Sequence, residues 1–549
     1  MNQELIKHAR VLIIDDQPLA QTFLKQSLER IGFETIQIAE SAKHALRLTQ
    51  EVQFDLIICS FNLSRDRDGY HLFEEFKNNG AIRLDTTFIF TSAETDAALV
   101  NSVIELQPDD FLAKPFTSKE LSDRVLRVLN RKHKLKKIYW ALENKDLDSA
   151  LTQIEAVLKN PKQGSLYPLV MRLKGDILLA KKEFGAAARY FFDIVNVQKF
   201  TWAMIGLAKA YLGLNKEDAG KAILDKLVKK PETRLAALDL LAQYYINHDE
   251  YDLAYQQFKD AKALSPRNIS RHQNVINLAR LLHDHGGQYE AAKTMLRCAK
   301  HSLHDNEDLY LTVARAGIDY ALTLTEQESA AIARQTEKYL DTLKREFHPT
   351  AESKNKIAVV QARLHYIKDE QDKAKQLVDS LQFDQYTSCT FEDYLDRAKA
   401  LHEIGYQDKA VAVLEDIPFS FDSEDVNEKI LHKFMAQEKQ EKRDIPFSPR
   451  QLNNIAVQLY NQKQIEPAMQ AFSDALKLMP KNVRIALNLL QALVEQKHRN
   501  QLSEIQDALY WKAMEVIAEH ELDSQQQSRY ESLLARSEQY DKQRIGSAQ

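Results

Sequence analysis

ARVLIIDD, residues 9–16, decides the fold of the first part of this 549-residue chain. Its aliphatic run predicts a buried strand that stops at Asp15 and Asp16, and a helical stretch begins at Pro18. The same order of strand, loop and helix recurs four times, with strands predicted at TIQIA (35–39), FDLIIC (54–59), TTFIFT (86–91) and DDFLAK (109–114). Five such units predict a doubly wound α/β domain with a five-stranded parallel sheet over residues 1–130.

Polar side chains stand where four of these strands end. Asp15 and Asp16 follow the first strand, Ser60 the third and Lys114 the fifth, and Thr91 closes the fourth. A doubly wound sheet places its ligand site at the carboxyl ends of its strands. We therefore expect these five residues to meet in one pocket.

Together with DG at 68–69 and KPF at 114–116, this spacing resembles the receiver domain of response regulators. In that family the acidic pair holds Mg²⁺, an aspartate ending the third strand accepts a phosphoryl group, and the threonine and lysine engage the phosphate. Here Ser60 stands where the acceptor carboxylate belongs, and Asp66 and Asp68 lie too far along the loop to replace it. A serine hydroxyl needs an adjacent base, and no matching motif residue is a histidine, so phosphorylation by the family's route is expected to fail.

The remaining pocket residues carry further expectations. Asp15 and Asp16 alone are expected to hold at most a weakly bound, hydrated Mg²⁺, so no cofactor is required. Lys114 is expected to pair with one of them and to fix the pocket in one arrangement. Phe111, at the family's switch-aromatic position, has no hydroxyl and is expected to turn inward. Two interpretations stay open: a retained regulatory role, and residues that only preserve fold and charge balance.

Composition restricts the rest of the chain. Glycine, at 14 residues, and proline, at 13, are scarce, which favours helix over turn-rich β folds. Cys59, Cys298 and Cys389 are far apart, so no disulfide framework or thiolate metal site is predicted, and a cytoplasmic location is expected. No apolar run approaches the roughly 18 residues of a membrane span, and no membrane insertion is expected.

Charge argues against a nucleic-acid partner. Residues 1–130 carry 14 Lys and Arg against 20 Asp and Glu, while the whole chain has a net charge of -5. A phosphate-backbone surface requires clustered basic side chains in excess, and neither part has them. The basic stretch RKHKLKK (131–137) begins the linker to the second part and predicts a solvated helix end.

From Asn130 onward, helical periodicity replaces strand alternation. Two segments resemble tetratricopeptide repeats, which recur about every 34 residues as paired helices with small residues at the helix crossings. The matching positions are Leu241, Ala242, Tyr245, Ala254, Phe258, Ala261 and Pro266, and then Ala456, Leu459, Ala468, Phe472, Ala475 and Pro480. The resemblance implies an all-α superhelix of about eight to ten copies over residues 138–520, with a helical or frayed tail at 521–549.

Such a superhelix lines its inner groove with the first helix of each pair and commonly receives a peptide there. The groove candidates by register are Lys209, Gln243, Asn453, Asn454, Asn461, Arg484, Asn488 and Gln491. As a group they predict a binding surface, although for each residue alone an ordinary solvated position is the favoured interpretation. Two copies of DIPFS, at 416–420 and 444–448, predict loops.

An enzyme is not predicted, since no Walker, HExxH or GxSxG motif occurs and HDH at 283–285 is typical of a polar helix end. No helix-turn-helix module follows the first domain either. The predicted function is a signalling adaptor, similar to auxiliary receiver and tetratricopeptide regulators of bacterial sensor-kinase systems. Its receiver would dock a sensor kinase, a phosphotransfer protein or another response regulator, and its groove a second protein or peptide. The alternative is a phosphorelay response regulator controlled through a non-standard acceptor, with the array as output.

Overall fold

The computed structural model describes residues 3–547 except 64–67, 95, 325, 349, 382–389, 418–424, 445–446, 448, 481, 501 and 521. The predictions on Asp66, on Cys389 and on most of both DIPFS copies lie outside the described residues. The chain divides into two compact units, residues 1–272 with 297–305, and residues 273–296 with 306–549. Over the described ranges, no helix combines the length and the apolar character that crossing a bilayer demands.

The first domain is the predicted doubly wound sheet. Its strands are β1 (Arg10–Ile14), β2 (Thr35–Ala39), β3 (Leu56–Ser60), β4 (Thr87–Ser92) and β5 (Asp110–Ala113). All neighbours pair in parallel, in the order β2-β1-β3-β4-β5. The helices of this domain are α1 (Gln3–His8), α2 (Pro18–Ile31), α3 (Ala42–Glu51), α4 (Gly69–Asn78), α5 (Ala97–Leu106) and α6 (Ser118–Lys134). The fold class predicted for this part is confirmed.

Both faces of the sheet are buried, because alternate side chains of each strand point to opposite faces. Leu12 and Ile14 of β1 lie in a core with α3, α4 and α5, whereas Val11 and Ile13 lie in a second core with α2 and α6. Two covered faces explain why the strands read as continuous aliphatic runs rather than as alternating patterns.

The basic stretch after residue 130 ends a helix and is exposed at His133, Lys134, Lys136 and Lys137, as predicted, but Lys132 differs. Helix α6 continues to Lys134, and α7 (Lys136–Glu143) begins after the fully buried Leu135. Lys132 lies 3.1 Å from a carboxylate oxygen of Asp109 and stands over the ring of Tyr139. The prediction of a solvated helix end is therefore wrong for Lys132, because the buried face of α6 persists and its charge finds a partner.

The remainder of the described chain is all-α. Its elements are α8 (Leu147–Leu158), a 3₁₀ helix (Pro161–Leu166), α9 (Tyr167–Ala180), α10 (Phe184–Val197), α11 (Thr201–Gly213), α12 (Glu217–Leu227), α13 (Pro231–Asn247), α14 (Tyr251–Leu264), α15 (Ile269–Leu281), α16 (His285–Ala299), α17 (Glu307–Ala321), α18 (Glu326–Glu346), α19 (Ala351–Ile367), α20 (Gln371–Asp379), α21 (Phe391–Glu403), α22 (Gln407–Glu415), α23 (Val426–Asp444), α24 (Pro449–Asn461), α25 (Ile465–Leu478), α26 (Val483–Arg499), α27 (Glu504–Ala518) and α28 (Ser524–Ser547). Consecutive helices pack on each other, as in the pairs α13 with α14 and α24 with α25.

The small residues of the tetratricopeptide pattern have no exposed surface. They are Ala242, Ala254, Ala261, Ala456, Ala468 and Ala475. Full burial of alanine is what a close helix crossing requires. The assignment to that repeat family stays a prediction, and these burials support it.

One crossing between helices depends on glycine. The buried ring of Phe191 on α10 lies between Gly175 on α9 and Gly206 on α11. A Cβ atom added to Gly206 would lie 2.3 Å from the ring, and one added to Gly175 would lie 2.4 Å from it. Any side chain at these positions has to displace an aromatic ring that is already enclosed.

We expect Gly206→Ala to destabilise the first unit by about 1–3 kcal/mol, since overpacking outweighs the roughly 1 kcal/mol that alanine gains over glycine in a helix. Gly185→Ala on α10 is the matched control, because nothing lies within 4 Å of the added methyl group. Urea unfolding, monitored by far-UV circular dichroism, gives the unfolding midpoints of the two variants for comparison. A Gly206→Ala midpoint equal to that of Gly185→Ala would contradict the prediction.

The second unit contains a buried network of charges around Arg363 of α19, whose side chain is almost fully enclosed. Its guanidinium donates to Asp319 and Asp396, both at 2.8 Å, and to Glu403 at 2.7 Å. Lys399 donates to the other oxygen of Asp319 at 2.7 Å. Buried charges persist only with such partners, so this unit depends on them.

Candidate functional site

The predicted pocket residues come together at the carboxyl edge of the sheet. In the strand register Ile14 lies beside Cys59 and Ser60 beside Thr91, so Asp15, the residue after Ile14, is brought next to the end of β3. Lys114 follows β5, and its backbone N–H donates to the Ser92 carbonyl at 2.6 Å. The structure thus joins side chains that are up to 99 residues apart in sequence.

Asp15 is fully buried and has partners at both carboxylate oxygens. The Lys114 ammonium donates to Oδ2 at 2.9 Å, and the backbone N–H of Gln17 donates to Oδ1 at 3.0 Å. This is the pairing expected for Lys114. A lysine held against a buried carboxylate neutralises the charge that would attract a cation.

Ser60 has only 6% of its surface exposed, and its hydroxyl donates to the backbone carbonyl of Asn62 at 3.1 Å. The backbone at Gly69 approaches Ser60 closely, since a Cβ atom on Gly69 would lie 2.3 Å from the Ser60 carbonyl oxygen. A nucleophilic serine needs its proton removed by a base, but here the proton is bonded to an amide oxygen. Among the residues that the structure describes, none is placed to activate Ser60.

Two other pocket residues have distinct environments. The hydroxyl of Thr91 is buried and has no hydrogen-bond partner among the described residues. Phe111 is half-buried and packs against the core on the α3, α4 and α5 face, which agrees with the expected inward orientation. Burial is the main cause that raises the pKa of the neighbouring Cys59 thiol well above its ordinary value, so that thiol stays protonated.

The donors present do not fit a resident Mg²⁺. Magnesium prefers an octahedron of oxygen ligands with one or two carboxylates. Ser60 supplies a hydroxyl where the third acidic residue of the family would stand, and both oxygens of Asp15 are engaged. No group of three His, Cys, Asp or Glu side chains suited to a metal occurs in the described parts of the chain, His283 and His285 included. A weakly held ion at Asp15 and Asp16 stays a prediction, and it would have to compete with Lys114.

The groove candidates fall into two groups. Asn453 accepts a hydrogen bond from Asn488 at 3.0 Å, and Gln491 donates to the Tyr460 hydroxyl at 3.1 Å. Arg529 of α28 donates to the carbonyl oxygens of Asn488 and Gln491 at 2.8 and 2.6 Å. The candidates that are exposed instead are Lys209, Gln243, Asn454, Asn461 and Arg484.

Asn453, Asn454 and Arg484 also line a cavity of about 490 Å³. Partial burial, with Arg484 nearby, lowers the pKa of the Arg529 guanidinium. Arg529 was missed because residues 521–549 were expected to be a helical or frayed tail, whereas α28 folds back onto α26. This surface combines amides with cations, which suits a ligand with acidic groups or free backbone carbonyls.

Comparison with known proteins finds similarity in the first domain. Residues 11–126 match the family described as response regulator receiver domain. The probable chemotaxis protein CheY of Rhizobium etli is 30% identical over 119 residues, which are 22% of this chain and 91% of that protein. The transcriptional activator protein IrlR of Burkholderia pseudomallei is 29% identical over 31% of this chain and 73% of its own length.

Solved structures give similar coverage. The chemotaxis response regulator CheY4 of Vibrio cholerae is 23% identical, with 22% of this chain and 98% of that one covered and a TM-score of 0.21. The receiver domain of the Francisella response regulator 1452 is 27% identical, covering 23% and 98% of the two chains, also with a TM-score of 0.21.

Proposed function

Because the chain belongs to the response regulator receiver family, we propose that it is a signalling adaptor whose receiver works by protein contact, without phosphoryl transfer at the usual position. The observation that carries this proposal is the pocket itself. The Ser60 hydroxyl is bonded to the Asn62 carbonyl, and Lys114 is bonded to Asp15. Since the described residues place neither a carboxylate acceptor nor a base at Ser60, a change of conformation has to come from a partner that binds two states with different affinities.

The proposal includes a docking surface on the receiver. Leu19 of α2 is 86% exposed, and Phe23, one turn later, is also exposed and lies 5.8 Å from the Phe116 ring between centroids. Exposed apolar side chains that cluster in this way are typical of protein contact. The partner class is a sensor kinase, a phosphotransfer protein or another response regulator.

The array is proposed to be a tetratricopeptide superhelix that binds a second protein or peptide. Its support is the full burial of the repeat's alanines and the amide network of Asn453, Asn488 and Gln491 with Arg529. Ordered amides and an arginine offer hydrogen bonds to a peptide backbone and to acidic side chains. No catalytic step, cofactor or nucleic acid belongs to the proposal.

A second candidate keeps phosphoryl control through a non-standard acceptor. The observation that favours it is the buried Thr91 hydroxyl, which has no hydrogen-bond partner among the described residues, next to a retained Lys114. Those are the residue types that engage the phosphate in the family. This candidate requires an acceptor other than Ser60.

The test incubates the full chain with acetyl phosphate and Mg²⁺ and measures its intact mass. We expect no added phosphoryl group. We also expect the tagged chain to capture the same proteins from a lysate of its native cell whether or not it has been incubated with acetyl phosphate and Mg²⁺. Leu19→Asp should abolish the capture of one partner, since it places a charge in an apolar contact. Val197→Asp is the matched control, because Val197 is an equally exposed apolar residue on α10.

The labelling result separates the two candidates, and the capture result tests the docking surface. Stoichiometric, acid-labile phosphate on the wild-type chain would establish the second candidate and remove the first. Loss of the same partner with both Leu19→Asp and Val197→Asp would show that the α2 surface is not the docking site.

A further inference from the structure

The receiver is in contact with part of its own helical array. Helix α14 packs on α5 of the receiver, and the turn after α14, residues 265–268, leads into α15. These residues all belong to the first compact unit. The contacts of this turn are polar and specific, as two clusters show.

The first cluster surrounds Glu105, near the end of α5. Its carboxylate accepts hydrogen bonds from Ser265 at 2.6 Å, Asn268 at 2.5 Å and Arg271 at 2.7 Å. Arg271 is buried and also donates twice to Asp239 of α13, at 2.9 and 2.8 Å. Charge-assisted hydrogen bonds of this kind are about twice as strong as neutral ones, so Glu105 is a firm attachment point.

The second cluster lies on the loop that leaves the Ser60 pocket. Arg267 pairs with Asp68, and its guanidinium stands 4.9 Å from the ring centre of Phe61 and 5.5 Å from that of Tyr70. Phe61 directly follows Ser60, and Asp68 caps α4 by accepting from the His71 backbone N–H at 2.9 Å. One arginine therefore contacts both the beginning and the end of this loop.

The segment that presents Arg267 is braced from within the array. Arg271 donates to the Ser265 carbonyl at 3.1 Å, and Nε2 of His272 lies 2.6 Å from the Pro266 carbonyl oxygen. Burial, above all, lowers the pKa of His272 to about 4, so the ring is neutral at pH 7, and Nε2 carries the proton that it donates. A ligand held in its bound shape loses little entropy on binding.

We propose that residues 264–271 are a built-in ligand of the receiver, which occupies its α4 and α5 face and couples the Ser60 pocket to the helical array through Arg267. Outside proteins then have to use other receiver faces. Because coupling between two sites is reciprocal, a change in the pocket alters how firmly this segment is held, and release of the segment alters the pocket loop. The coupling does not depend on whether the receiver is phosphorylated.

Hydrogen exchange with mass spectrometry on the full chain tests the docking. Arg267→Ala should speed exchange about tenfold in α5 and in the first turn of α4, which corresponds to about 1.4 kcal/mol. Arg172→Ala is the control, because Arg172 on α9 is exposed and pairs at 3.8 Å with Asp176, which is also exposed. Equal exchange in the two variants would overturn the docking.

A mutant cycle and a pocket variant test the coupling. Asp68→Asn keeps a helix cap while removing the charge, so its effect on exchange should largely disappear in the Arg267→Ala background. Lys114→Ala, which releases Asp15, should change exchange of residues 264–272 at least threefold. Additive effects of Asp68→Asn and Arg267→Ala on exchange would show that the Arg267 to Asp68 pair does not hold the segment. Unchanged exchange of residues 264–272 in Lys114→Ala would overturn the coupling while leaving the adaptor proposal intact.

Discussion

Ser60→Asp is expected to produce a receiver that takes up close to one phosphoryl group per chain from acetyl phosphate and Mg²⁺. The new carboxylate ends β3 beside Asp15 and Thr91, and it supplies both the nucleophile and the missing acidic metal ligand. A carboxylate is ionised at neutral pH and needs no base, unlike the present hydroxyl. Intact-mass measurement before and after acid treatment reads the result directly.

Ser60→Asn is the matched control, because asparagine has the shape of aspartate without its charge, and it should remain unlabelled. The wild-type chain should also stay unlabelled. A folded Ser60→Asp protein that fails to label would show that the acceptor is not the main defect. The Lys114 to Asp15 pairing, or the hold of Arg267 on the loop, would then be the stronger block.

Arg363→Ala is expected to destabilise the second unit by about 3–5 kcal/mol or more, the scale found when one partner of a buried ion pair is removed. The substitution leaves Asp319, Asp396 and Glu403 enclosed without their shared cation. Urea unfolding monitored by hydrogen exchange in α19 and α21 measures the effect. We expect the cooperative transition of this unit to be lost. Arg345→Ala is the control, since Arg345 is exposed and lies 4.0 Å from Glu346.

The destabilisation caused by Arg363→Ala should be smaller at acidic pH. Burial by itself raises the pKa of Asp319, but Lys399 and Arg363 outweigh it and hold that pKa well below its usual range. In the wild-type chain this contribution is complete above the unfolded pKa near 3.8 and is lost as the pH falls below it. Without Arg363 the pKa values of the Asp319 and Glu403 carboxyls rise, so these groups protonate more readily and the deficit of Arg363→Ala should be smaller at pH 5 than at pH 7. A deficit that does not depend on pH would indicate lost packing instead of lost charge pairing.

Local sequence patterns predicted much of the first domain. TIQIA coincides with β2, and the expectation that Lys114 pairs with Asp15 or Asp16 is met at Asp15. These inferences succeed because a parallel sheet brings its strand ends to one edge whatever the details of packing. The Ser60 substitution was also readable, since it replaces a residue at a defined strand end.

The contacts between helices that are far apart in sequence were not predictable. Arg267 and Asp68 are 199 residues apart, and Arg363 finds its three carboxylates on other helices. Helical periodicity places such residues on a face of a helix but does not identify the opposite face. The partners of Arg529, Asn488 and Gln491, likewise lie on another helix, α26, and a sequence that predicts only a helical or frayed tail does not show this contact.

The two occupied oxygens of Asp15 have a further consequence for a cell that contains many sensor kinases. Under the adaptor proposal, a receiver whose acidic site is closed by its own lysine is expected to be indifferent to stray phosphodonors and to fluctuations in divalent-ion supply. Its influence on a pathway would then be set by stoichiometry: the number of copies present relative to the protein they bind would determine how much of that protein is titrated away.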